Sequence, residues 1–257
     1  MRVNEDSSTR SWSAWLTSLV LVALWALVSW TNLFPPSAFP SPWSVARGFM
    51  EEVTTGRLFT DLIASLFRVI SGFTLAVALG IPAGLWLGAR VRVRSALLPI
   101  VNFFRSLSPL AWIPFAILWF GIGDAPAVFL IFMTTFFPMV LTAAAAVANV
   151  PSLYLKVGND VGVSQREMFW ALILPAVAPQ LITALRITAG LAWVIVVAAE
   201  MIVGRDGLGF AIWDARNGLR MDLLVSGMIV IGAIGTLLDV LLRQLARHPG
   251  VRWAYDR

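Results

Sequence analysis

Three long stretches of this chain carry no charge: Ser11 to Ala46, Val69 to Ala89 and Ala125 to Leu155. Crossing about 30 Å of hydrocarbon takes roughly 20 apolar residues, so lipid is the expected solvent. The rest of the chain agrees. Of its 257 residues 59% are hydrophobic and 13% charged, and the mean hydropathy is +0.82, whereas a soluble domain carries about 25% charged residues. Six spans are predicted, at 12–33, 62–89, 97–120, 126–149, 183–204 and 223–243. They should be helices, because unpaired backbone groups are too costly in lipid and the runs are too long for barrel strands. The expected fold class is therefore an all-α integral membrane protein. The first span exceeds the roughly 7–15 apolar residues of a secretory signal core and is expected to stay attached.

Lys and Arg beside the spans set the orientation. With both termini cytoplasmic, the inner segments hold Arg90, Arg92, Arg94, Lys156, Arg166, Arg243 and the arginines of both tails, while the outer ones hold Arg47, Arg57, Arg205, Arg216 and Arg220. The net charge of +5 thus reads as a topology signal. No basic patch with interleaved aromatics points to nucleic acid. The absence of cysteine excludes disulfides, Cys-ligated zinc and Cys nucleophiles. The lone histidine, His248, reads as a solvated tail residue, so no metal or His-based catalytic centre is expected.

Residues 1–11 read as a flexible cytoplasmic tail, 12–246 as a single transmembrane domain and 247–257 as a second cytoplasmic tail. FPPSAFPSPW, Phe34 to Trp43, is expected to be an extended outer connector, since four prolines prevent continuous helix. Gly80, Gly84 and Gly88 share one helix face and invite close approach of another helix. RVRVR at 90–94 reads as a basic cytoplasmic turn. In the third span Arg105, Pro109 and Pro114 interrupt apolar sequence, and such breaks are tolerated mainly where protein or a water-filled path satisfies the backbone. GIGDAP, Gly121 to Pro126, is an expected outer turn.

The segment 150–180 differs from everything around it. Two helical patterns meet at Gly162, and Val163 and Ser164 open the second, whose Met168, Phe169 and Leu172 form an apolar stripe suited to a groove on another protein. The other reading open to it is an interfacial helix on the membrane, although only Arg166 supplies the cationic face such a helix needs. Gly162, nine residues, then Leu172-Ile173-Leu174-Pro175 resembles the EAA loop of ABC-importer permeases. The sequence from Leu185 to Asn217 is similar to the nitrate, sulfonate, taurine and bicarbonate branch of that family. Lys156-Val157-Gly158 departs from the family's Glu-Ala-Ala.

The resemblance implies a type I ABC-importer (MetI-like) permease fold in the bacterial inner membrane. It further implies two separate ATPase subunits holding ATP and Mg, a second permease copy in a homodimer, and an extracytoplasmic solute-binding protein. The chain would bind no cofactor and would not itself be an enzyme. Gly162, Val163, Ser164, Phe169, Leu174 and Pro175 would couple to the ATPase. The expected cargo is a small anion, nitrate or a sulfonate such as taurine first, with bicarbonate in the same branch. A heterocyclic vitamin precursor is an alternative within the architecture.

Four ionisable residues lie in or near spans, where charge is costly unless it faces protein or water. Arg68 and Asp239 read as packed or snorkelling near a boundary. Arg105 has two open roles: a fork of donors for an oxyanion in the translocation path, or a topological anchor. Glu200, at the family's Ala-Glu position, would repel an anion; it is expected to pair with a cation or backbone amides and hold a gate. GRDGLGF, Gly204 to Phe210, lacks the Gly-Lys-Ser/Thr end of a phosphate loop and reads as an outer loop facing a binding protein. An ion-gradient-driven secondary transporter should show midplane acid clusters or repeated halves, and an intramembrane hydrolase a Ser-His, paired Asp or HExxH arrangement; neither pattern is found.

Overall fold

A computed structural model describes residues 5–31, 33–35 and 37–246. Met1–Asn4 and the tail 247–257, with His248, lie outside the described residues. All regular structure described is helical: α1 Glu5–Trp30, α2 Pro42–Thr54, α3 Arg57–Ala89, α4 Val91–Ser106, a 3-10 turn Pro109–Trp112 and α5 Ile113–Phe120. Then come α6 Asp124–Ala148, α7 Ser152–Asp160, α8 Gln165–Glu167, a π-helical turn Met168–Ile173, α9 Leu174–Val203, α10 Leu208–Asn217 and α11 Met221–Ala246.

Four helical stretches are long and apolar enough to cross a membrane: Arg57–Ala89, Asp124–Ala148, Gln165–Val203 and Met221–Gln244. A fifth candidate is α4 with the 3-10 turn and α5, bent by 85°. The described apolar part of the expected first span, Trp15–Trp30, is shorter than these. α1 also begins at Glu5, within the stretch assigned to a flexible tail; Glu, Asp and Ser suit a helix's first turn.

The bend has a local cause. Proline disfavours helical backbone in the residue before it, and Pro109 follows Ser108 at ψ 126° and Leu107 at ψ 133°. Two extended residues turn the chain, and Pro109 and Pro114 then take first-turn positions of the short helices, where a missing N–H costs nothing. The arginines of RVRVR belong to this element, since Arg90 is the N-cap of α4.

The described residues form two compact units: those up to Thr60 with Ala211–Ile231, and Asp61–Phe210 with the residues from Gly232 on. In the first, Phe34 to Trp43 is folded, not extended. Ala38 and Phe39 N–H groups both donate to the Pro35 carbonyl at 2.8 and 3.0 Å, and Trp25 Nε1 donates to the Pro40 carbonyl at 3.0 Å. Ser41 then caps α2 by accepting from Ser44 N–H. Arg220 bridges Glu51 at 2.7 Å and Asp222 at 2.9 Å.

The second unit is built around α6. Gly72, Ala76, Gly80, Gly84 and Gly88 form a row at four-residue spacing along α3. A methyl group on Gly84 would lie 2.6 Å from the Val140 carbonyl oxygen, one on Gly88 2.6 Å from that of Ala144, and one on Gly72 2.8 Å from that of Val128. Ala76 is fully buried. Helices in lipid associate through van der Waals contact, so small residues that admit a neighbour's backbone are what hold α3 to α6. On another side α6 and α9 share a core of Ala143, Ala146, Val177 and Leu181, joined by Leu85 of α3. α11 meets α9 where Gly235 lies under the Trp193 indole, a methyl there falling 2.9 Å from Cδ1.

Gly84→Leu should force α3 off α6, an overpacking cost of about 1–3 kcal/mol. The expected result is a thermal midpoint of the detergent-solubilised protein lower by on the order of 5 °C, with Gly84→Ala between it and the native chain; an unchanged midpoint for Gly84→Leu would contradict this contact.

Candidate functional site

The segment between α6 and α9 closes on a tight helix stop. Val163 N–H donates to the Gly158 carbonyl at 2.9 Å and Gly162 N–H to that of Asn159 at 3.0 Å, the paired bonds of a Schellman C-terminus, whose next residue is left-handed. Gly162 occupies that position at φ 81°. A side chain there would meet nothing within 4 Å, so backbone conformation and not space selects glycine.

Ser164 starts the following helix through a capping box. Its Oγ accepts from Glu167 N–H, and its own N–H donates to Glu167 Oε2 at 3.0 Å, satisfying two donors the helix leaves open. The π-helical turn Met168–Ile173 then inserts an extra residue per turn, a feature frequent at functional sites. Met168 is buried and seats on Gly158, where a methyl would fall 2.7 Å from its Sδ. The last position of Lys156-Val157-Gly158 is thus the point where α7 meets the π turn.

The expected coupling residues divide. Gly162 and Ser164 are exposed at the turn, Val163 is half-buried, and Pro175 is exposed in the first turn of α9. Phe169, expected at the partner contact, and Leu174, expected among the coupling residues, are half-buried and pack against the core of Leu85, Ala143 and Val177. The apolar side chains left exposed are Leu153, Tyr154, Val157 and Val161 around α7, and Trp170. The first four fall at i, i+1, i+4 and i+8 on one side of the helix, beside Lys156, Asn159 and Asp160. The short length of α7 hid this row, although its spacing is in the sequence.

Arg105 and Pro109 come together. Both line a cavity of about 240 Å³ with Trp112, Met133, Thr134 and Leu191. Arg105 is exposed in the last turn of α4, and the bend at Pro109 opens the cavity beside it. Glu200 is elsewhere, nine residues or about 14 Å beyond Leu191 along α9.

Glu200 sits fully buried in a polar cluster centred on Arg68. Arg68 Nη1 donates to Glu200 Oε1 at 2.8 Å and to the Asp206 carbonyl at 2.9 Å, Nε donates to Asp124 Oδ1 at 2.7 Å, and Nη2 meets the Asp206 carboxylate. Glu200 Oε2 accepts from Ser65 Oγ and Gly209 N–H, both at 2.9 Å. Ser65 Oγ in turn accepts from Leu208 N–H, and Asp61 Oδ1 from Gly207 N–H. Arg68 is therefore buried at a hub and not snorkelling. Gly207 and Gly209 of GRDGLGF turn their N–H groups into the cluster, and a methyl on Gly207 would meet the Glu200 carboxyl at 2.5 Å. The cluster ties α3, the start of α6, the end of α9 and the loop before α10. Arg186, an ionisable residue of α9 missed in the sequence, pairs with Asp239 at 2.7 Å, and Arg243 meets the same carboxylate at 2.8 Å.

Removing one member of a buried pair costs about 3–5 kcal/mol because the other charge is left uncompensated. Arg68→Leu should therefore sharply lower the yield of folded protein in detergent, and Arg68→Leu with Glu200→Leu should recover part of it; a double variant no better than the single one would argue that direct pairing is not what the cluster depends on.

Residues 76–250 match the family described as binding-protein-dependent transport system inner membrane component. The chain is 35% identical over 241 residues to the taurine transport system permease protein of Escherichia coli, covering 90% of this chain and 86% of that one. It is 37% identical to the nitrate import permease protein of Leptolyngbya laminosa, over 74% of this chain and 68% of that one. The bicarbonate transport system permease protein of Synechococcus elongatus is also 37% identical, with 74% of this chain and 69% of that one covered. Among solved structures, a chain of the MetNI methionine ABC transporter in an inward-facing conformation superposes with a TM-score of 0.67 at 18% identity, over 76% of this chain and 97% of that one; this likeness shows the type I importer permease fold. With helices built for lipid and a family match over most of its length, the chain belongs to the binding-protein-dependent transport system inner membrane components, the permease subunits of ABC importers.

Proposed function

We propose that this chain carries a small anion, a sulfonate such as taurine, nitrate or bicarbonate, across the bacterial inner membrane, driven by a separate pair of ATPase subunits that seat on residues 150–180. The ATPases hold ATP and Mg, a second copy of this chain completes the path, an extracytoplasmic binding protein delivers the anion, and both termini face the cytoplasm. The observation that carries the coupling role is the exposed apolar row Leu153, Tyr154, Val157 and Val161, flanked by polar side chains and ended by the Gly162 turn. Such a row, on a short helix outside the long spans, suits a groove on a partner. Support for an anion comes from Arg105, a permanently charged fork of donors beside the break in the fifth candidate span, and from the taurine, nitrate and bicarbonate permeases among the relatives.

The open surroundings of Gly162 make it a clean probe. A non-glycine residue at φ 81° costs roughly 1–2 kcal/mol, small enough for the fold to survive. Gly162→Arg should insert normally yet lose co-purification with the ATPase, whereas Gly162→Asn, which tolerates left-handed backbone, should retain it. Normal ATP-driven uptake by Gly162→Arg would defeat the coupling assignment. Arg105→Ala should leave the complex assembled and lower kcat/KM for nitrate or taurine uptake in proteoliposomes by about tenfold or more, the scale of one lost charged contact. Unchanged uptake would remove Arg105 from the path.

A further inference from the structure

Arg68 and Arg186 are each matched by a carboxylate within 2.8 Å. Along one groove the pattern differs. Arg94, Leu98, Asn102 and Arg105 fall at i, i+4, i+8 and i+11 and so share a face of α4. Across from them stand the last turns of α6, with Leu141, Thr142, Ala145 and Asn149, and the space between is about 580 Å³. Its lining contains two guanidiniums, two amides and a hydroxyl, and no carboxylate. Among the described residues neither Arg94 nor Arg105 makes an ion pair or a side-chain hydrogen bond.

The two arginines are about 16 Å apart along the helix axis. Arg105 also lines the smaller cavity at Pro109, so the two cavities adjoin at its side chain. Asn149, the C-cap of α6, is three residues before α7. A displacement of α7 would therefore be delivered to the groove at Asn149, against Arg94 on the facing helix.

We propose that Arg94 and Asn149 form a second oxyanion subsite, at the end of the groove where α4 starts and α6 ends, to which an anion held near Arg105 and Asn102 passes. This rests on the reading of Arg105 as part of the anion's path. A guanidinium presents a planar pair of donors that matches two oxygens of nitrate, bicarbonate or a sulfonate. Neutral amides add donors without further charge, and a path needs sites strong enough to enter and weak enough to leave. A lipid phosphate would satisfy the same donors. Polar side chains on both walls, with the small side chains of three alanines in the lining, favour a small free anion.

Because the chain contains no cysteine, Ala145→Cys places one thiol in the groove without removing a proposed donor. The assembled transporter, with ATPase and binding protein, would be reconstituted in vesicles of phosphatidylcholine with and without phosphatidylglycerol and treated with sulfonatoethyl methanethiosulfonate. Modification would be read from the mass of this chain, and uptake measured in the same vesicles. Saturating nitrate or taurine should slow modification about tenfold, and Arg94→Gln should abolish that protection. Asn102→Cys serves the same test if Ala145→Cys does not assemble. Equal rates with and without anion, in vesicles that still take it up, would overturn the subsite. Protection that follows phosphatidylglycerol content and ignores added anion would overturn it too, assigning the groove to a headgroup. Protection without uptake of any of the three anions would uphold the subsite and defeat the transport reading, so the two failures are separable.

Discussion

The approach of α3 to α6 is the contact on which the second unit depends. Hydrocarbon supplies no hydrophobic force between helices, so they hold together where backbones come close enough for dense van der Waals contact. Gly72, Gly84 and Gly88 place the α3 backbone against carbonyls of Val128, Val140 and Ala144, and Gly80 and Ala76 continue the row. With α6 held there, its other sides are open to α9 and α4, and the shared core of Leu85, Ala143, Val177 and Leu181 follows. That core also receives Phe169 and Leu174, so the segment 150–180 is anchored through the same helix that holds the bundle.

Charge is handled differently at the two ends of this unit. At the Asp124 end, Arg68 is buried and its donors meet Glu200, Asp206 and Asp124. Such a cluster locks four chain segments, since moving any of them would strand a charge in a medium that solvates it poorly. At the Asn149 end, Arg94 and Arg105 line a cavity without carboxylates. Fixed, neutralised charge suits a hinge or a closed seal; unmatched cations beside a cavity suit passage of an anion.

The π-helical turn lies between α7 and α9. Met168–Ile173 carries Met168 into Gly158 and leaves Trp170 outside. A helix wound in this way is less regular than its neighbours, and here it joins α7, which ends at the Gly162 turn, to the 30-residue α9. α7 is thus tied to the long helices through Met168 on one side and through Asn149, the C-cap of α6, on the other.

Much of this was legible in the sequence because hydrocarbon imposes period and length. Uncharged runs of span length dictate helices, glycines at four-residue spacing dictate a close helix contact, and Gly162 followed by Val163-Ser164 and Glu167 dictates a left-handed stop and a capped restart. Tertiary structure alone decided which partner each element meets, since partners are distant in the chain. It decided that Arg68 joins Glu200 across 132 positions, that Gly207 and Gly209 turn their N–H groups into that cluster, and that Phe169 packs inside while Val157 and Trp170 stay outside. The bend at Pro109 stands between the two: proline next to Ser108 announces a break, yet its 85° angle and the distant residues that line the cavity beside Arg105 are set only in the fold. Local residue type determines backbone conformation through sterics; which charges are neutralised and which are left facing a cavity depends on the three-dimensional neighbours that fold together.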